Sequence, residues 1–260
     1  MLNNNYQLAS DLHLEFFTKI PKNVTEEEFF SNIITPLGKY LLLAGDIGNP
    51  KSIIYDKFIQ WTSTKFRKVF LITGNHEYYG KTISEVDRYL KEKYRQGNVI
   101  FLQRRGYRNE DGIIILGCTL WSDVNNFMVE LLMNDYKRIK LKQRPFRINM
   151  IDIINLHLKH QLWLEHQLEK HSGPIIVISH HLPSYDLIDE KYLDDQCNSG
   201  YASNLNDLLA KYKDKIIAWV YGHSHSSLAM SIEGVGCYRN PRGYPKTEDY
   251  NKSYQNNYIL

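Results

Sequence analysis

Five short polar clusters hold six of the ten histidines, together with Asp11, Asp46 and Asn75. In chain order they are Asp11-Leu12-His13, Gly45-Asp46, Gly74-Asn75-His76-Glu77, His180-His181 and Gly222-His223-Ser224-His225. As metal donors they offer two carboxylates, one amide oxygen and four imidazoles, with no sulfur. Imidazole suits Zn, Fe, Ni and Cu, whereas carboxylate and carbonyl oxygens suit Mg and Mn. The mixed set favours Mn, Fe or Zn over Ca or a Cys-based structural zinc. Seven donors exceed what one catalytic ion needs, because such an ion keeps a position open for water. Two divalent ions sharing one carboxylate account for the number. Singly, each cluster has an ordinary reading. Asp-x-His and Gly-Asp occur in turns and caps, Gly-Asn marks a turn, and two adjacent histidines occur in cores. Together, five clusters that each follow a short apolar run read as one site built from convergent loops.

The elements that must carry these loops are legible as short branched runs. They are 6–9, 40–44, 69–72, 99–102, 113–116, 175–178 and 216–220, each bounded by Gly, Asn or Asp. Such runs read as buried strands. Helical windows lie near 51–66, 82–95, 124–142, 149–170 and 204–212. Strands alternating with helices predict βαβ units and a layered α/β fold, and ligands in such sheets gather beyond the carboxyl ends of strands. Residues 124–150 read either as an inserted cap or as one long helix. Residues 234–245 read as short strands and a loop, and the last fifteen residues as a polar surface tail. His157, His160, His166 and His171 fall at helical spacing among Lys and Glu, which predicts a solvated helix face rather than ligands.

Composition excludes several classes. The chain has 260 residues, 43% hydrophobic and 23% charged, which is ordinary globular usage. One domain over 1–260 is the expectation. A net charge of +3 is too small to argue for nucleic-acid binding. No apolar run is long enough to span a membrane, and the first residues lack the pattern of a secretory leader. Cys118, Cys197 and Cys237 are odd in number and scattered, so a reduced, cytoplasmic setting is expected.

In this order the clusters resemble the signature of the calcineurin-like metallophosphoesterases: Asp-x-His, Gly-Asp, Gly-Asn-His-Glu/Asp, a lone His and Gly-His-x-His. The likeness spans about residues 6–226. It implies a four-layer α-β-β-α sandwich, with two mixed β-sheets packed face to face and flanked by helices. By this resemblance Asp11, His13 and His225 hold one metal, Asn75, His180 and His223 hold the other, and Asp46 bridges them. His76 is implied to stand beside the leaving-group oxygen as proton donor. Of the adjacent pair, His180 comes first after the strand and is the expected ligand, with His181 behind it or near substrate. The sequence departs from the protein Ser/Thr phosphatases of the family, whose Gly-Asp continues to a phosphate-holding Arg. Here the run is Gly45-Asp46-Ile47-Gly48-Asn49-Pro50. Leu120-Trp121, His180-His181-Leu182-Pro183-Ser184 and Asn240-Pro241-Arg242-Gly243-Tyr244-Pro245 resemble single-domain bacterial and viral members.

The implied chemistry is hydrolysis of a phosphomonoester or phosphodiester by a hydroxide bridging two divalent ions. His76 would protonate the leaving oxygen, with Asp11 expected to orient it. No covalent phospho-enzyme is expected, since no activated Ser or Cys accompanies the site. Arg242 is a candidate phosphate contact. Lys137, Arg138, Lys140, Lys142, Arg144 and Arg147 form a basic stretch that reads as a solvated helix face or a steering patch. The segment 185–201 is long enough to act as a lid. The partner implied is a small phosphoester. Two other readings compete: a nuclease, which calls for a basic channel and stacking aromatics, and a non-catalytic scaffold, which calls for lost ligands.

Overall fold

The computed structural model describes residues 5–141, 147–245, 247 and 250–260. The chain runs β1 (Tyr6–Ala9), α1 (Glu26–Ser31), β2 (Tyr40–Ala44), α2 (Ile53–Lys65), β3 (Lys68–Ile72), α3 (Ile83–Lys93) and β4 (Val99–Phe101). It continues β5 (Arg105–Arg108), β6 (Ile114–Gly117), α4 (Phe127–Leu132), α5 (Asp135–Arg138), α6 (Met150–Lys170) and β7 (Ile175–Ile178). It closes with α7 (Asn198–Tyr201), α8 (Asn206–Tyr212), β8 (Ile216–Tyr221), β9 (Leu228–Ile232) and β10 (Val235–Arg239). Two sheets form, in the orders β1-β2-β3-β4 and β5-β6-β7-β8-β10-β9. The first four strands are parallel, while β5 and β9 run antiparallel at the two edges of the second sheet.

Three apolar layers explain why the strands read as unbroken hydrophobic runs. A strand covered on both faces has no solvent side to alternate with. Between the sheets lie Leu8, Leu42, Phe70 and Ile72 of one and Ile115, Ile176, Ala218 and Val220 of the other. The intervening residues Leu41, Leu43, Val69 and Leu71 face outward onto Phe58 and Ile59 of α2 and Leu90 of α3. On the far side Leu116, Val177 and Trp219 meet Leu164 and Leu168 of α6 and Leu209 of α8. The period-two alternation of side chains thus separates two helix-facing cores from one inter-sheet core. This is the four-layer α-β-β-α sandwich expected from the sequence.

The ends of the helices follow ordinary capping chemistry. Ser52, Thr82 and Asn149 accept from backbone N–H groups in the first turns of α2, α3 and α6. The window 124–142 is not one long helix. Met133 leaves helical space at ψ 144°, so α4 ends there and α5 starts afresh two residues later. Lys142 and Arg144 of the basic stretch lie outside the described residues.

Two further expectations change. The last residues do not form a free tail. Leu8 N–H donates to Tyr258 O at 3.0 Å, and Leu260 N–H donates to Tyr6 O at 2.9 Å. Ile259 makes an antiparallel bridge to Gln7. The chain end therefore covers the open edge of β1, whose backbone would otherwise be unpaired. Nor are all four helix histidines solvated: His166 is exposed, but His157 and His160 are buried. The cause is the loop after β6, where Leu120 and Trp121 adopt positive φ of 70° and 56°. Backbone so placed cannot join a ladder, and its polar groups need side-chain partners. Leu120 N–H donates to His160 Nδ1 at 3.1 Å, while His157 Nδ1 lies 3.3 Å from Leu120 O. Burial pushes the His160 imidazole down to about 3, which keeps it a neutral acceptor.

Replacing His160 by Leu strands the Leu120 N–H and is expected to cost about 1–3 kcal/mol in urea denaturation. His166→Ala, on the exposed face, should change stability by less than about 0.5 kcal/mol.

Candidate metal centre

The five loops meet at the carboxyl ends of β1, β2, β3, β7 and β8. Their backbone is unusual where they meet. Asp11, His13, Asp46 and His223 all have positive φ, between 47° and 70°. Each such residue costs of order 1–3 kcal/mol and persists only where its surroundings over-determine it. Gly45, at φ 87°, and Gly74 allow the loops to touch. A Cβ on Gly45 would stand 2.6 Å from both Gly74 N and His180 Nδ1, and one on Gly74 would strike Asp46 Oδ1.

The donors fall into groups whose ligand atoms lie within 4.8 Å of one another: Asp11 with His13 and His225, and Asp46 with His180 and His223. Asp46 also belongs to a third group, with His13 and His76. Asn75 Oδ1 joins the second group, 3.0 Å from His180 Nε2. All seven side chains singled out from the sequence are therefore brought together, across more than two hundred residues of chain. Two details suit a cation. His13 Nε2 and His225 Nε2 face each other at 3.2 Å, and His223 Nε2 is buried with no hydrogen-bond partner among the described residues. A buried imidazole nitrogen left bare is expensive unless something positive takes it up, and two facing nitrogens need a proton or a cation between them.

The two adjacent histidines separate clearly. His180 Nδ1 lies 2.9 Å from Ala44 O, which turns Nε2 toward Asn75 and Asp46. His181 is in none of the donor groups. Its Nδ1 lies 3.3 Å from Thr119 O and its ring packs on His223 and Trp121. Arg242 does not line the cavity: its guanidinium lies over Phe17 and Tyr250, 5.4 and 5.9 Å from the ring centroids. Tyr244, from the same loop, takes that place, its hydroxyl 3.0 Å from His76 Nε2.

Three carboxyl groups organise these donors from behind. Glu77 is fully buried and accepts from Ile47 N–H at 2.8 Å, Gly74 N–H at 2.8 Å, Asp46 N–H at 3.1 Å and Gly48 N–H at 3.4 Å. It ties the Gly-Asp loop to the Gly-Asn-His-Glu loop. Glu15 Oε1 reaches both His13 Nδ1 at 3.0 Å and His76 Nδ1 at 3.1 Å. The carboxylate orienting His76 is therefore Glu15, and not Asp11, whose oxygens receive the His223 N–H. Asp135 accepts from Asn75 Nδ2 at 2.7 Å and from Tyr79 Oη at 2.8 Å, which fixes the Asn75 amide with its oxygen toward His180. Glu77 stood inside a recognised motif. Glu15 and Asp135 carried no comparable signal among 29 acidic residues.

The electrostatics follow from burial and crowding. Burial pushes the Glu77 carboxyl up to about 8, and the Asp46 charge adds to it. Burial opposes a charge on His180, but the adjacent Asp46 carboxylate outweighs it and lifts the imidazole to about 10. His13 and His223 go the other way, pushed down chiefly by burial. Burial likewise opposes charge at Glu15 and His76. Hydrogen bonds from His13 and then His76 outweigh it and hold Glu15 at about 2, while the Asp46 charge and then Glu15 lift His76 to about 9.

The family model described as calcineurin-like phosphoesterase matches residues 8–227. The chain belongs to that family. A protein of Acanthamoeba polyphaga mimivirus, described only as uncharacterised, is 31% identical over 252 residues, covering 91% of this chain and 90% of its own. Among solved structures, a phosphopantetheinyl hydrolase of Mycobacterium tuberculosis superposes with a TM-score of 0.67 at 16% identity, covering 93% of this chain and 90% of that one. A dimetal phosphatase of Danio rerio gives 0.50 at 11% identity, with 90% and 86% covered. At these identities the structural matches speak for the fold. The family is one of metal-dependent phosphoester hydrolysis, and no helix among the described residues is long and apolar enough to cross a membrane.

Two measurements probe the carboxylates behind the donors. Glu77→Gln sets an amide NH2 against backbone N–H groups, and a loss of about 1–3 kcal/mol is expected in chemical denaturation, with reduced metal uptake. In chelator-treated protein, Glu15→Gln should cost most between about pH 4.5 and 6.5. There the pH lies above the unfolded Glu15 value of 4.5, itself depressed to about 2 in the fold, and below the unfolded His76 value of 6.5, itself raised to about 9. The difference from the parent protein should fade as pH rises through about 9 and the imidazolium is lost.

Proposed function

We propose that the protein is a phosphoester hydrolase working with two divalent cations, Mn, Fe or Zn. Asp11, His13 and His225 would hold one, and Asn75, His180 and His223 the other, with Asp46 shared. The observation that carries this reading is the pair of donor groups beside a common carboxylate, assembled on four left-handed residues. Divalent cations in such a site supply Lewis-acid stabilisation of phosphoryl oxygens and a nucleophile at neutral pH.

The remaining steps fall to the chain itself. His76 is half-buried at the cavity wall, with Nδ1 against Glu15 and Nε2 turned inward to the Tyr244 hydroxyl. Glu15 accepts the Nδ1 proton and so leaves Nε2 as the nitrogen that exchanges a proton with substrate. In this reading Nε2–H donates to the leaving oxygen as its bond to phosphorus breaks. The Tyr244 hydroxyl gives Nε2 a partner until substrate arrives, and its ring packs on His13 with centroids 4.4 Å apart. Asp135 holds Asn75 in its ligating orientation. A non-catalytic scaffold would tolerate loss of these groups, and all of them are present.

The test is an activity panel on manganese-reconstituted protein, with metal content read by elemental analysis. His76→Gln should lower kcat by about 10²–10⁴-fold with metal content unchanged. Asp46→Asn should lower the metal stoichiometry itself. Full turnover in the first variant would remove His76 from proton transfer, and full stoichiometry in the second would remove Asp46 from the shared position.

A further inference from the structure

Beside the donor groups lies a cavity of about 360 Å³, at the lower end of the range for small-ligand sites. Its floor is Asp46, Asn75, His76, His223 and His225. Its walls come from two segments far apart in sequence. Leu132 and Met133, at the end of α4, form one side, and Ile188, Tyr192 and Tyr201 form the other. The polar groups between them are the amides of Asn134 and Asn198 and the carboxyl groups of Asp135 and Asp195. Among the described residues no Lys or Arg lines the cavity.

The two walls are joined. Asn125 N–H donates to Ser199 Oγ at 3.3 Å, and Asn126 Nδ2 donates to Gln196 O at 3.0 Å. Gly200 sits where the helices touch: a Cβ there would strike Met133 Sδ and come within 2.8 Å of Val129 Cγ1. The second wall is also anchored to the sheet. The fully buried Arg239 of β10 donates to Leu187 O at 2.8 Å and pairs with Asp189. Asp189 in turn accepts from Ser224, inside the Gly-His-Ser-His loop, at 3.1 Å. The segment 185–201 is thus held as a wall rather than hung as a free flap.

We propose that segments 127–135 and 185–201 form a composite subsite for the alcohol portion of the substrate, one that takes a neutral, partly apolar group and turns away one bearing further negative charge. The inference rests on the hydrolase reading for the placement of the phosphoryl group, since cations held by the donor groups would claim it. What remains must lie against Leu132, Met133, Ile188 and the tyrosines. There an additional anion would face the buried Asp135 and the solvent-exposed Asp195, and like charges so placed are a standard device of rejection. Asp135 is 4% exposed and takes its hydrogen bonds from Asn75 and Tyr79 on Oδ1, leaving Oδ2 for the cavity side, while Asp195 is exposed and accepts from Cys197 N–H. The small volume likewise argues against a polynucleotide, which would bring several phosphates into the same space.

The experiment compares phenyl phosphate with 4-carboxyphenyl phosphate on manganese-loaded protein. The two differ by one carboxylate remote from the reacting bond. Phenyl phosphate should be favoured in kcat/KM by at least about tenfold, chiefly through KM, the scale of one like-charge contact at a partly solvated surface. Asp195→Asn, on an exposed segment, should narrow the gap by lowering KM for the carboxylated ester. Gly200→Val, which forces the walls apart, should raise KM for phenyl phosphate but not for methyl phosphate. Calorimetric binding of phenylphosphonate against 4-carboxyphenylphosphonate reads the same subsite without turnover. Hydrolysis of both esters with equal kcat/KM would overturn the subsite and leave the hydrolase reading standing. Absence of turnover with a preserved preference between the phosphonates would do the reverse, and equal binding of the two phosphonates would overturn the subsite on its own.

Discussion

The site depends on one buried carboxylate that binds no substrate. Glu77 accepts four backbone N–H groups from two loops that follow β2 and β3. Those loops carry Asp46, Asn75 and His76, and none of the three could hold its position if the loops were free to separate. Backbone N–H groups buried without acceptors are costly, and Glu77 supplies acceptors for all four at once. It also explains how Asp46 can remain at φ 53°, since its own N–H is one of the four. The strain of the left-handed residues is therefore offset by hydrogen bonds a few ångströms away.

Around that staple the site is a problem in charge compensation. Carboxylates and imidazoles are packed within hydrogen-bonding distance of one another, and each group raises or lowers the proton affinity of its neighbours. Protons alone satisfy this arrangement poorly. His180 is driven toward the cationic form by Asp46, while His13 and His223 are driven away from it by burial. Divalent cations at the two donor groups would take the place of those protons and neutralise the carboxylates together. The same logic gives His76 its separate character. It shares Glu15 with His13, yet its Nε2 turns to the cavity and to Tyr244 rather than to another imidazole.

The walls beyond the donors answer a different question from the donors themselves. The chemistry of phosphoester cleavage needs donors converging at strand ends, but discrimination between esters needs surfaces that approach the alcohol portion. In the subsite proposed here those surfaces are short helices and loops between β6 and β8, joined to each other through Ser199, Gln196 and the close approach at Gly200. Their α-helices are only four to six residues long. Their packing is what gives them a fixed shape.

The sequence by itself determined the layers and the donor inventory. Strands covered on both faces leave continuous branched runs, and Asp, Asn and His at strand ends are chemically distinctive wherever they meet. It could not determine which neighbour each donor would find. Glu15 orients His76 although Asp11 was the expectation, Tyr244 rather than Arg242 reaches the cavity, and His157 and His160 turn inward to serve the strained backbone at Leu120. Those choices were made by tertiary structure. Hydrogen bonds between residues scores of positions apart depend on distances of tenths of an ångström, and spacing along a chain does not encode them.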